Sequence, residues 1–137
     1  MCQNIDDFNR GAAFILAALY QAFPVPLALK TGLLDTGGDL DDTERGDRLE
    51  ARAIVSEAAA VFLMEEGYLR HVSHLNGAGV FTGAVLTAKG LAALNKTSRP
   101  EIRRADTLGD SLIRFVKGTA TEAARDSIKQ SIMAVLS

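Results

Sequence analysis

The chain has 137 residues, 47% of them hydrophobic and 23% charged, with a formal net charge of -2 at pH 7. That length suits one core with a helical appendage, and the composition excludes wholesale disorder. The slight acidic excess excludes a uniformly basic nucleic-acid binder, so any contact with phosphate has to come from a local patch.

The first predicted element is a helix over Asp6 to Phe23, in which Phe8, Ala12, Ile15, Leu16, Leu19 and Phe23 recur at helical spacing as one buried stripe. Asp6 and Asp7 stand near its start, where carboxylates favour the free amide groups. Pro24 and Pro26 end it. Its apolar run lacks a positive leader and a small-residue cleavage site, so it reads as a core helix and not as a signal peptide. No segment approaches the ~18 apolar residues of a membrane span. With a single cysteine, Cys2, an internal disulfide is excluded, and a reducing cytoplasm is the expected compartment.

Leu27 to Leu34 is expected to form a short second helix, with Pro26 in its first turn. From Asp35 to Asp47 the residues turn to Asp, Gly, Thr and Glu, which reads as an exposed acidic loop. Its acids lack the alternation, central glycine and closing glutamate of a calcium loop, so no metal is expected there.

A second long helix is expected over Asp47 to Glu66. At about 100° per residue, Ala51, Ile54, Val55, Ala58, Val61 and Phe62 share one face, taken as the buried one. Arg45, Arg48, Arg52, Ser56 and Ala59 fall on the opposite face, taken as solvent. Gly67 stops the helix. Tyr68 to Leu75 and Val80 to Leu86 then read as two strands joined at Asn76-Gly77-Ala78-Gly79, because Asn-Gly between β-rich runs is a strong hairpin signal. Thr87 can cap a following helix over Ala88 to Asn95, with Leu91 and Leu94 inward. Alternation along a strand would send His71 and His74 to opposite faces, which opposes a shared metal ion.

Thr97 to Glu101 reads as a linker, dividing the chain into a domain at 1–97 and a helical tail at 98–137. In the tail, Leu112, Val116, Ala120, Ala123, Ile128, Ile132 and Val135 approximate an apolar stripe, with a break expected at Gly118. The stripe could pack back on the domain, pair with a second subunit or lie on a membrane. The mixed charges of its polar face oppose the membrane, and its length favours a homodimer.

Phe62-Leu63-Met64-Glu65-Glu66-Gly67-Tyr68-Leu69 followed by Leu86-Thr87-Ala88-Lys89-Gly90-Leu91 resembles the winged-helix domains of bacterial transcriptional regulators. The match covers about a third of the chain. The whole arrangement is more loosely similar to small bacterial proteins with a winged helix and a C-terminal helical tail. The resemblance implies an α+β winged helix, with the helix from Asp47 to Glu66 as the recognition helix and the hairpin as the wing. It implies double-stranded DNA as partner, met by Arg48, Arg52 and Ser56, with Arg45 reaching phosphate and Arg70, His71 and His74 on the wing. The chain departs from that pattern in its long acidic segment between Leu34 and Asp47, its uncharged hairpin tip and its net negative charge.

No nucleophile elbow, activated serine or phosphate-cradling glycine loop is present, so the chain reads as non-enzymatic and without a cofactor. Two functions follow. A DNA-binding regulatory module requires arginines clear of carboxylates. A protein–protein assembly module predicts neutralised arginines and an apolar patch as the main exposed feature.

Overall fold

The computed structural model describes residues 3–33, 41–43, 45–75 and 79–95, together with positions 113, 129, 132, 133 and 136. In chain order the elements are helix α1 (Gln3–Ala22), strand β1 (Leu27–Lys30), a 3-10 turn (Thr31–Leu33), helix α2 (Arg45–Glu65), strands β2 (Leu69–Arg70), β3 (Ser73–Leu75) and β4 (Val80–Leu86), and helix α3 (Ala88–Leu94). The class is α+β, as expected from the sequence.

Helix α1 is the axis of the core. Ala12, Ala13, Ile15, Leu16, Ala17 and Leu19 are all buried, because the helix has α2 on one flank and β1 and β4 on another. Phe8 is half-buried, and Phe23, beyond the helix end, is exposed. The α1–α2 pair is the most extensive contact between elements, and small residues let it close. A Cβ placed on Gly11 would come within 2.7 Å of Ser56 Oγ and 3.1 Å of its Cα, so the two backbones meet where Gly11 has no side chain.

The sheet is antiparallel and centred on β4, with β1 on one side and β2 and β3 on the other. Strands β2 and β3 keep one common register against β4: Leu69 faces Leu86, Arg70 faces Val85, and Ser73, His74 and Leu75 face Thr82, Phe81 and Val80. They form one hairpin arm, interrupted at His71 and Val72. There Val72 donates its amide to Thr82 O at 2.7 Å, and Gly83 takes φ +67°, a value that favours glycine. The hairpin read from the sequence is therefore present. Its tip residues Asn76, Gly77 and Ala78 lie outside the described set.

The short helix expected from Leu27 is corrected: Leu27–Lys30 is a strand. Leu27 pairs with Ala84, and Leu29 and Lys30 pair with Phe81 and Val80, with a shift in register between Leu27 and Leu29. Burying Leu29 while exposing Ala28 and Lys30 is a strand pattern. The site is fastened by Thr31, whose amide and hydroxyl both donate to Gly79 O, at 2.8 and 3.2 Å.

The turn that follows α2 is a Schellman motif. Gly67 N donates to Met64 O at 3.0 Å and Tyr68 N to Leu63 O at 2.9 Å, with Gly67 at φ +85°. The start of α3 is clasped to it. Thr87 Oγ1 donates to Gly67 O and accepts from Gly90 N, Thr87 N donates to Tyr68 O, and Lys89 Nζ donates to Glu66 O at 2.7 Å while lying over the Tyr68 ring. At the far end Tyr20 Oη donates to Asn95 Oδ1, tying α1 to the α3 cap. The five described tail positions include Ile132, which is enclosed in the same core, while Ile113 and Leu136 pack at its edge and Met133 is exposed.

A Cβ on Gly90 would lie 2.0 Å from Tyr68 O, and no side-chain rotation relieves that overlap. Gly90→Ala is expected to destabilise the fold by about 3 kcal/mol or more. Gly46→Ala, at a helical position with nothing within 4 Å, should be neutral or stabilising by up to ~1 kcal/mol. Urea unfolding midpoints of the two variants check both.

Candidate functional site

The arginine row of α2 faces the protein. Arg52 and Ser56 are 8% and 5% exposed, and they lie with Ala59, Ala60 and Leu63 on the side that meets the core. The orientation expected from the sequence is thus corrected: Ile54 is 65% exposed, Phe62 is 40% exposed and Ala58 lies on the surface. The reason is steric and electrostatic together. The small side chains of Ser56, Ala59 and Ala60 allow the close approach to α1, and a buried carboxylate on α1 awaits the guanidinium groups.

That carboxylate is Asp7, 4% exposed. Arg48 Nη2 donates to both of its oxygens at 2.9 Å, and Arg52 Nε stands 3.7 Å from Oδ1. A buried charge is tolerated only when it is paired. Asp7 and the two arginines are that pairing, one helix turn apart on α2. The Arg45 side chain lies outside the described residues. The acids Asp41 and Asp42 are exposed, and Asp41 accepts from Thr43 Oγ1 at 2.7 Å. Among the described residues, a carboxylate that Arg48 and Arg52 share is on α1, a neighbour that local spacing does not disclose.

On the hairpin arm, Arg70 and His71 are exposed and His74 is half-buried. The expected separation of the two histidines does not hold. Their rings lie 6.4 Å apart, His74 stacked on Phe81 at 4.0 Å and His71 edge-on to it at 5.7 Å. The interruption of the arm at His71 and Val72 breaks the alternation. His74 Nε2 is 2.7 Å from Glu57 Oε2, which binds the arm to α2. Among the described residues no three His, Cys, Asp or Glu side chains converge as a metal set, and no helix is long and apolar enough to cross a membrane.

With the arginines turned inward, α2 presents an apolar groove to solvent. Its floor and walls are Ile54, Ala58, Val61 and Phe62, with Glu57, Glu65 and His74 around it, and it encloses about 360 Å³. Phe62 packs edge-on to Phe8 at 5.4 Å, which fixes one wall. Sequence reading assigned these apolar residues to the core; an α1 helix with Gly11, Ala12 and Ala13 opposite a small-residue row was the signal that could have shown the other face.

Of the tail residues expected at a dimer contact, Ile132 is enclosed in the core cluster. Leu112, Val116, Ala120, Ala123, Ile128 and Val135 lie outside the described residues.

Comparison with known proteins finds no matching family model, no matching curated protein and no matching solved structure. The fold and the surface are accordingly read from this chain alone, as an α+β protein with a buried ion-pair cluster and an exposed apolar helix face.

Removing Asp7 takes from Arg48 both of its 2.9 Å contacts and from Arg52 a carboxylate 3.7 Å away, at the α1–α2 contact. Asp7→Ala is expected to cost about 3–5 kcal/mol, and Arg48→Ala, at a side chain 24% exposed, about 1 kcal/mol. The double replacement Asp7→Leu with Arg52→Met should recover part of the loss of Asp7→Leu alone. Equilibrium unfolding in urea measures all four.

Proposed function

We propose that this chain is a non-enzymatic, winged-helix-like protein-docking module whose working surface is the outward face of α2, and that double-stranded DNA is not its partner. The order of α1, β1, α2, an antiparallel hairpin and a capped third helix supports the winged-helix part of the reading. The single observation carrying the functional part is the inverted face of α2: Arg48 and Arg52 engage Asp7 while Ile54 and Phe62 meet solvent.

A recognition helix needs its cations toward phosphate and its apolar residues toward the core. Here the relation is reversed. A contiguous exposed apolar patch with a polar rim is a feature of protein contact surfaces. Of the arginines named for DNA contact whose side chains are described, Arg70 is the exposed one, whereas the affinity of a duplex rests on many phosphate contacts.

Anisotropy of a labelled random duplex at low ionic strength tests the reading. No saturable change is expected up to about 100 µM protein, the weak end of non-specific DNA binding. Saturation below that concentration, lost in Arg70→Ala and on adding salt, would restore DNA as the partner.

A further inference from the structure

The groove on α2 has a distinctive charge pattern. Stepping along the outward face of the helix, Asp47, Glu50, Glu57 and Glu65 recur within about a quarter-turn of Ile54. The described basic side chains of α2, Arg48 and Arg52, are directed to Asp7 on the other side. The groove lining contains two carboxylates and no lysine or arginine, and its histidine is in contact with one of those carboxylates. The surface is therefore apolar along its floor and acidic along its margins.

We propose that this groove takes a basic amphipathic helix from a different protein, an inference that rests on the protein-docking reading above. The apolar floor from Ile54 to Phe62 runs for just over two helical turns, roughly 12 Å, and Glu65 stands a turn beyond, at roughly 16 Å. A partner helix with apolar side chains at i, i+3, i+4 and i+7 fits that length and recognition mode. Lysine or arginine on its flanks would meet the exposed Glu50 and Glu65, and complementary charge steers such an encounter and sets its register.

The same charges select against other occupants. A second copy docking face to face through a twofold axis would bring like carboxylate rows together. A phosphate backbone would be repelled as well.

The test uses two fluorescein-labelled synthetic 18-residue helical peptides with the same leucine face, one carrying lysine and the other glutamate on its polar face. Each is titrated with the full chain at low salt. The lysine peptide is expected to bind at least ten-fold more tightly than the glutamate peptide. Ile54→Ser, at a position 65% exposed and with an unfolding midpoint expected to match that of the unchanged chain, should weaken binding of the lysine peptide by ten-fold or more. The double variant Glu50→Gln with Glu65→Gln, both at exposed positions, should weaken it several-fold and reduce its salt dependence.

If both peptides bind equally and the glutamine variant changes nothing, the basic occupant is overturned while apolar docking stands. If neither peptide binds, the docking reading itself falls with it. Binding unaffected by Ile54→Ser would place the contact elsewhere and overturn the proposal. Sedimentation as a dimer that Ile54→Ser dissociates would assign the groove to a second copy, and would also overturn it.

Discussion

Asp7 sits near the start of the central helix, out of water, and the placement of α2 depends on it. A carboxylate in that position requires cationic partners, and Arg48 and Arg52 supply them from successive turns of α2. Once those two guanidinium groups point at α1, the rotation of α2 about its axis is set. Ser56, Ala59, Ala60 and Leu63 follow inward, and Ile54, Ala58 and Phe62 are carried outward. The close approach at Gly11 and Ser56 reinforces the same rotation, since a larger side chain at either position would push the helices apart. Ion pair and steric fit act together, and the surface of the protein is their by-product.

The remainder of the fold holds α2 at its other end. The Schellman turn at Gly67, the Thr87 cap and the Lys89 contact with the Glu66 carbonyl join α2 to α3 around the Tyr68 backbone. The residues on which the resemblance to winged-helix regulators rests are largely these. Their spacing is explained by helix termination and capping, with Gly90 tight against the Tyr68 carbonyl. A motif of this kind reports how two helices and a strand are connected, and it carries no information about a ligand.

What could be read in advance follows from how local each signal is. Proline after α1, Asn-Gly in the hairpin and threonine before α3 act within a few residues, and those elements were legible. Strand β1 depends on Ala84, Phe81 and Val80, fifty or more residues away, so a four-residue alternation after two prolines read as a helix start. The orientation of α2 failed for a related reason. Counting apolar residues favours Ile54 and Phe62 as core, whereas the outcome is decided by Asp7 on another helix. The candidate site was legible as a set of residues and reversed in its facing. The pairing of His74 with Glu57 was hidden by the same long-range dependence, because the arm is interrupted at His71 and Val72, where Val72 stands against Gly83.

The sheet limits how another polypeptide can join this molecule. Strand β4 has hydrogen-bonded neighbours on both sides, and the outer positions belong to β1, of four residues, and to an arm broken into pieces of two and three. Among the described residues, an incoming extended chain would find short, interrupted rims, which give little main-chain template for lengthening the sheet. A partner of the kind proposed would therefore have to meet side chains on a helical surface, with its own secondary structure already formed or folding as it arrives.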